Sequence, residues 1–239
     1  MRFWGEKAAL LLGCALLAGC ADLPSFGTIL SGPEDTAAQG QSEITVTRSA
    51  VSLTAPDGFC VDPVSTRNTA SEAFVVFGNC AAITGNNKQA QPFVNAIVTA
   101  TVSSVGLASD AAIAPQSDAL VGFFRSNAGK RALSRSADPA AVRIGDGFAE
   151  DGAVFLLVAD SSPIHFDGAM KSYWRSYFDA GGAVIAMSVI GFEKDPISGG
   201  EGLSLLRRFK ERNARAPSVL SDDTLAGASD PRRPVPRPG

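Results

Sequence analysis

Imidazole-assisted chemistry in this chain has a single possible base, His165, which lies in the run Asp160-Ser161-Ser162-Pro163-Ile164-His165-Phe166-Asp167. Ser161 or Ser162 would be the nucleophile and an aspartate the orienting group of a hydrolase site. Such triads are assembled by geometry rather than by adjacency, and the Gly-x-Ser-x-Gly turn that exposes a nucleophile occurs nowhere in the chain. A loop histidine between two strands accounts for the same residues.

A second cluster of chemistry-bearing residues is Gly145-Asp146-Gly147-Phe148-Ala149-Glu150-Asp151-Gly152. Its carboxylates do not follow the spacing of a calcium-binding loop, and its glycines stop short of G-x-G-x-x-G. Acidic surface turns have this composition, so the sequence implies no metal and no cofactor. The aromatic run Tyr173, Trp174, Tyr177 and Phe178 offers a different function. In a strand, Tyr173 and Tyr177 share one face and Trp174 and Phe178 the other. One face enters the core, and the second is a candidate interaction surface.

The four cysteines are Cys14, Cys20, Cys60 and Cys80. The first two fall in an N-terminal segment that begins with Arg2 and Lys7 and continues as an alanine- and leucine-rich stretch from Ala8 to Ala18. That stretch is too short to span a hydrocarbon core of about 30 Å, and it has the layout of a secretory signal. It ends Leu17-Ala18-Gly19-Cys20, which resembles the lipobox of bacterial lipoproteins. The resemblance implies cleavage of residues 1–19, lipidation at Cys20, and attachment of the protein to the membrane through that lipid. Ala21 follows Cys20 where aspartate would signal inner-membrane retention, so the expected location is the outer membrane, facing the periplasm. Cys14 would leave with the signal and Cys20 would carry lipid. Cys60 and Cys80 then remain as a disulfide pair in an oxidising compartment. Closing a loop of about 21 residues contributes roughly 3 kcal/mol.

The elements that must position these residues are legible as changes of period. Residues 20–42, rich in Pro, Gly and Ser, read as the lipidated end and a flexible tether. A domain is expected over 43–216. Alternation predicts strands at Glu43–Thr47, Val51–Thr54, Ala73–Phe77, Asn95–Val102, Arg131–Ser134 and Val142–Ile144. The apolar run Ala153–Ala159 reads as a central strand covered on both faces. Lys171–Phe178 and Ala183–Ile190, separated by Asp179-Ala180-Gly181-Gly182, read as a hairpin. Helical spacing places one helix after Ser117, closed by Gly129, and another from Gly200 to about Asn213. Residues 217–239 read as a disordered Pro- and Arg-rich tail.

These elements predict an α+β class: an antiparallel sheet with two main helices packed against it. Their order resembles the PsbP-like fold of periplasmic and lumenal accessory proteins, a resemblance that carries no site residues. Over the whole chain 21 basic and 24 acidic residues give a net charge of −3. Without Arg2, Lys7 and Glu6 the balance is 19 against 23, or −4, which excludes the basic surface that nucleic-acid binding needs. The function expected from sequence is a membrane-anchored envelope lipoprotein acting as a non-enzymatic binding or accessory module, with an envelope protein as a possible partner. The alternatives are a periplasmic hydrolase built on His165 with Ser161 or Ser162, and a structural role in the envelope.

Overall fold

A computed structural model describes residues 39–103, 112–163 and 167–214. Cys20, His165 and the tail 217–239 lie outside the described residues. The elements run β1 (Glu43–Thr45), β2 (Ser52–Thr54), β3 (Phe59–Val61), β4 (Arg67–Asn68), β5 (Ala73–Asn79), α1 (Cys80–Thr84), β6 (Ala96–Val102), α2 (Ser117–Arg125), α3 (Asn127–Leu133), β7 (Val142–Glu150), β8 (Ala153–Asp160), β9 (Ala169–Ala180), β10 (Ala183–Phe192) and α4 (Gly199–Ala214). The class is α+β. The main sheet has the order β3-β5-β6-β10-β9-β8-β7 with every neighbour antiparallel; β4 pairs beside β5, and β1 pairs with β2 separately. Among the described residues, no helix is long and apolar enough to cross a membrane.

The central hairpin is longer and tighter than its sequence pattern suggested. Ala180 pairs with Ala183, so only Gly181 and Gly182 turn the chain. Their φ values of +57° and +76° suit a two-residue turn in which both positions are left-handed. A side chain at Gly181 would also crowd Val51, whose Cγ2 lies 2.9 Å from where a Cβ would sit.

Alternation along the strands divides the sheet into two faces. The inner face carries Val75, Phe77, Val98, Ile185, Met187, Trp174 and Phe178 and is covered by α4 together with the β1–β2 hairpin. Phe209 of α4 lies between Phe59 and Phe77, with ring centroids 5.8 and 5.3 Å away. α4 begins where Ser198 and Glu201 cap each other reciprocally: the Glu201 N–H donates to Ser198 Oγ, and the Ser198 N–H to Glu201 Oε2. It ends at buried Asn213, whose amide bonds both Thr54 N–H and Thr54 C=O and so ties the helix to β2. On the outer face, α2 and α3 cover Val154, Leu156 and Val158 of β8 and Tyr173 of β9.

Four readings of the sequence are corrected. Arg131–Leu133 belong to α3 rather than to a strand. Ser126, not Gly129, interrupts the helical run, capping α3 by accepting the Gly129 N–H; Gly129 is where α3 touches α2, since a Cβ there would overlap Phe123 O. The acidic segment continues β7 through Glu150 with an irregularity between Ile144 and Gly147, and the turn is only Asp151-Gly152. Ordered packing starts before Glu43, because the carbonyls of Gln41 and Ser42 accept the N–H groups of Val61 and Ala55. Gly40 lies so close to Cys60 that a Cβ would overlap Sγ.

A fifth correction concerns the aromatic strand. Trp174 and Phe178 are 5% and 1% exposed in the inner core, Tyr173 is 8% exposed, and Tyr177 stacks on Phe124 of α2 at 4.8 Å. The four aromatic rings therefore form no free recognition surface. Strand alternation assigns residues to faces, but only the placement of α2 and α3 reveals that Tyr173 and Tyr177 pack against helices.

Candidate functional site: an open trough on the outer sheet face

The helices α2 and α3 pack on the β7, β8 and β9 side, and among the described residues neither packs on the outer face of β10, β6 and β5. Cross-strand register fixes what that half displays. One row reads Val76, Thr99, Ser188 and Arg175, from β5 across to β9. Flanking it are Ile97 opposite Ile190, which in turn opposes Tyr173, and on the other side Phe74 opposite Thr101. The surface is apolar with a short line of hydroxyls leading to one guanidinium.

Two cavities occupy this face and share Thr99 and Ile190. One, of about 780 Å³, reaches α1 at Ala82 and Ile83 and the β3–β4 loop at Val64. The other, of about 370 Å³, reaches the end of α3 at Leu133 and Arg135 and includes Tyr173 and Arg175. Together they form one trough between α1 and α3. Both volumes fall within the range of about 300–1,000 Å³ usual for small-molecule sites.

The walls at the α1 end are held covalently. Cys60 in β3 and Cys80 at the start of α1 form a disulfide with Cα atoms 4.8 Å apart. Asn79 caps α1 by accepting the Ala81 N–H. The β3–β4 loop is fixed by Asp62, whose carboxylate accepts the Val64 N–H and the Ser65 hydroxyl at 2.9 and 2.6 Å. Burial raises the pKa of this carboxyl, but the hydrogen bonds prevail and hold it below its usual value. The loop so fixed carries Val64, 80% exposed, at the rim of the larger cavity.

Arg175 dominates the electrostatics at the other end. Its Nε donates to Tyr177 Oη at 2.6 Å and its Nη1 to Ser188 Oγ at 3.2 Å. A guanidinium has five N–H groups; among the described residues two of them are engaged in these bonds and no carboxylate pairs with the side chain. Arg135 differs. Its Nη2 donates to the carbonyls of Asp160 and Ser162, and its Nε lies 3.6 Å from Asp160 Oδ2. Tyr173 nearby has its pKa raised by burial, so its phenol stays protonated at neutral pH.

The residues of the hydrolase reading are engaged in joining loops. Buried Asp160 accepts the backbone N–H groups of Ser162 and Arg135, and Ser162 Oγ lies 2.8 Å from Ser136 Oγ and 3.3 Å from Ser134 Oγ. Ser161 Oγ donates to the Ala141 carbonyl. Desolvation pushes the Asp160 pKa up, but bonds from Ser162 and Arg135 and the Arg135 charge outweigh it and hold the carboxyl below its usual range. In the acidic cluster, Glu150 pairs bidentately with Arg207, and Asp151 lies 3.8 Å from Lys210 Nζ. Those carboxylates fasten α4 to the β7–β8 turn. Among the described residues no group of three potential metal ligands comes together.

Sequence reasoning recognised the aromatic strand and passed over Arg175 inside it. The available signal was a charge at a position whose strand neighbours on the same face, Tyr173 and Tyr177, are aromatic. No protein-family model matches the chain, and no curated protein matches it.

Proposed function

We propose that this chain is a lipid-anchored envelope lipoprotein whose folded part is a non-enzymatic binding module, with the trough between α1 and α3 as its ligand site. The carrying observation is the half-covered outer face: an apolar surface bordered by helices and by a loop that internal bonds hold rigid. Concave apolar surfaces with a few convergent polar groups are the usual form of ligand sites. The Cys60–Cys80 bond supports an oxidising compartment, and the lipobox ending at Cys20 supports attachment to the outer membrane, facing the periplasm. A partner in the envelope, either a protein or a smaller ligand, would dock on the trough.

Site-directed photocrosslinking in cells tests this reading. A photoreactive residue at Ile97, in the trough, is expected to capture a ligand or partner, whereas one at Lys171, exposed on β9, is expected to capture none. Equal capture at both positions would sink the reading. Mass analysis of the membrane fraction should find a lipidated mature chain, lost in Cys20→Ala.

A further inference from the structure

The trough has its basic groups at one end only, and this bears on the chemistry of its ligand, an inference that rests on the binding-module reading above. Of the two guanidiniums beside the smaller cavity, Arg135 is paired with Asp160, and Arg175 has no acidic partner among the described residues. Hydroxyls of Ser188 and Thr99 follow Arg175 along the same row. Beyond them the lining is mainly apolar, with Val76, Ile97, Ile83 and Val64, and its one carboxylate, Asp62, is taken up by the Val64 N–H and the Ser65 hydroxyl, with Asn79 and Asn95 as further polar neighbours.

We infer that the trough binds a long-chain carboxylate, with its head group on Arg175 and its acyl chain lying across β10, β6 and β5 toward α1. The planar fork of a guanidinium matches a carboxylate, and the N–H groups of Arg175 that bond none of the described residues provide the donors. Three inter-strand steps of about 4.8 Å separate β9 from β5, a path of about 14 Å that suits an extended acyl chain. A peptide fits less well. The strands β5, β6 and β10 bond one another, so the sheet face has no backbone groups for an extended peptide, whose own N–H and C=O groups would be buried without partners.

The test uses the full-length protein in phosphatidylcholine nanodiscs with hexadecanoate carrying a diazirine near its tail, compared with hexadecanol carrying the same group. Expected is labelling of peptides containing Val76, Ile83 or Ile97, about tenfold or more stronger for the acid, as a charged hydrogen-bonded contact implies. Arg175→Met, which keeps an apolar stem, should bring the acid down to the level of the alcohol. Equal labelling by acid and alcohol in the unaltered protein, or labelling outside the trough, overturns the proposal. That first comparison requires no variant, so it decides even if Arg175→Met fails to fold. If photocrosslinking from Ile97 captures a protein segment while neither probe labels the trough, the carboxylate is wrong and the binding module stands. If neither experiment yields a product at the trough, both are wrong.

Discussion

The outer face of the sheet is one surface with two halves, and they obey different rules. Over β7, β8 and β9 it carries Val142, Val154, Leu156 and Val158 beneath Phe124 and Leu133 of the helices. Over β10, β6 and β5 it carries Thr99, Thr101, Ala186 and Ser188 among Val76, Ile97 and Ile190. The covered half is apolar beneath the helices because burial without hydrogen bonds penalises any polar group. The open half keeps hydroxyls beside a guanidinium and retains branched apolar side chains, Ile97 and Ile190, that are only partly buried among the described residues.

The sharpest test of that contrast is a matched pair of truncations. Leu156→Ala in the covered half should lower stability by about 2–5 kcal/mol through cavity formation, whereas Ile97→Ala should cost about 1 kcal/mol or less. Denaturant titration of both variants measures this, and comparable losses would erase the distinction between halves. Next in size is the disulfide. Cys60→Ala with Cys80→Ala should cost about 3 kcal/mol and should raise hydrogen exchange chiefly in α1 and the β3–β4 loop, at the open half. Exchange rising equally in α2 and α3 would show that the bond serves the whole fold instead.

Asp160, at the edge of the covered half, gives a smaller and pH-dependent effect. Its folded pKa lies below the unfolded value, so its ionised form favours folding at pH above about 4; that contribution falls away as pH drops through the folded value. Asp160→Asn should therefore cost about 1–3 kcal/mol at neutral pH and progressively less on acidification, as read from unfolding curves at pH 7 and pH 3. The smallest effect is expected for Thr99→Val, within about 0.5 kcal/mol, because its hydroxyl faces the open trough.

Local patterns in the sequence were enough to identify the alternating strands, the Gly-Gly hairpin and α4. The Cys60–Cys80 pair was legible by elimination, because the lipobox resemblance assigned the other two cysteines to the N-terminal segment. What the sequence hid depends on long-range register. Val76, Thr99, Ser188 and Arg175 come from four strands and become one row only through pairing. The stretch Arg131–Leu133 looked β-prone in isolation, and only the Ser126 cap and the contact at Gly129 make it helical. Short β3 and β4 carry too few residues to show a period, so the wall that holds α1 was invisible as well.

Gly40 gives the junction between N-terminal segment and sheet a mechanical meaning. A pull transmitted from the N-terminal side first meets the Gln41–Val61 and Ser42–Ala55 backbone bonds, beside the sulfur of Cys60. Once those two bonds open, load passes to the β1–β2 pair and then to β3, which cannot peel from the sheet because Cys60 is covalently joined to Cys80. The crosslink thus works as a rip-stop: a protein held by its N-terminus can be tugged without the tear running into the trough.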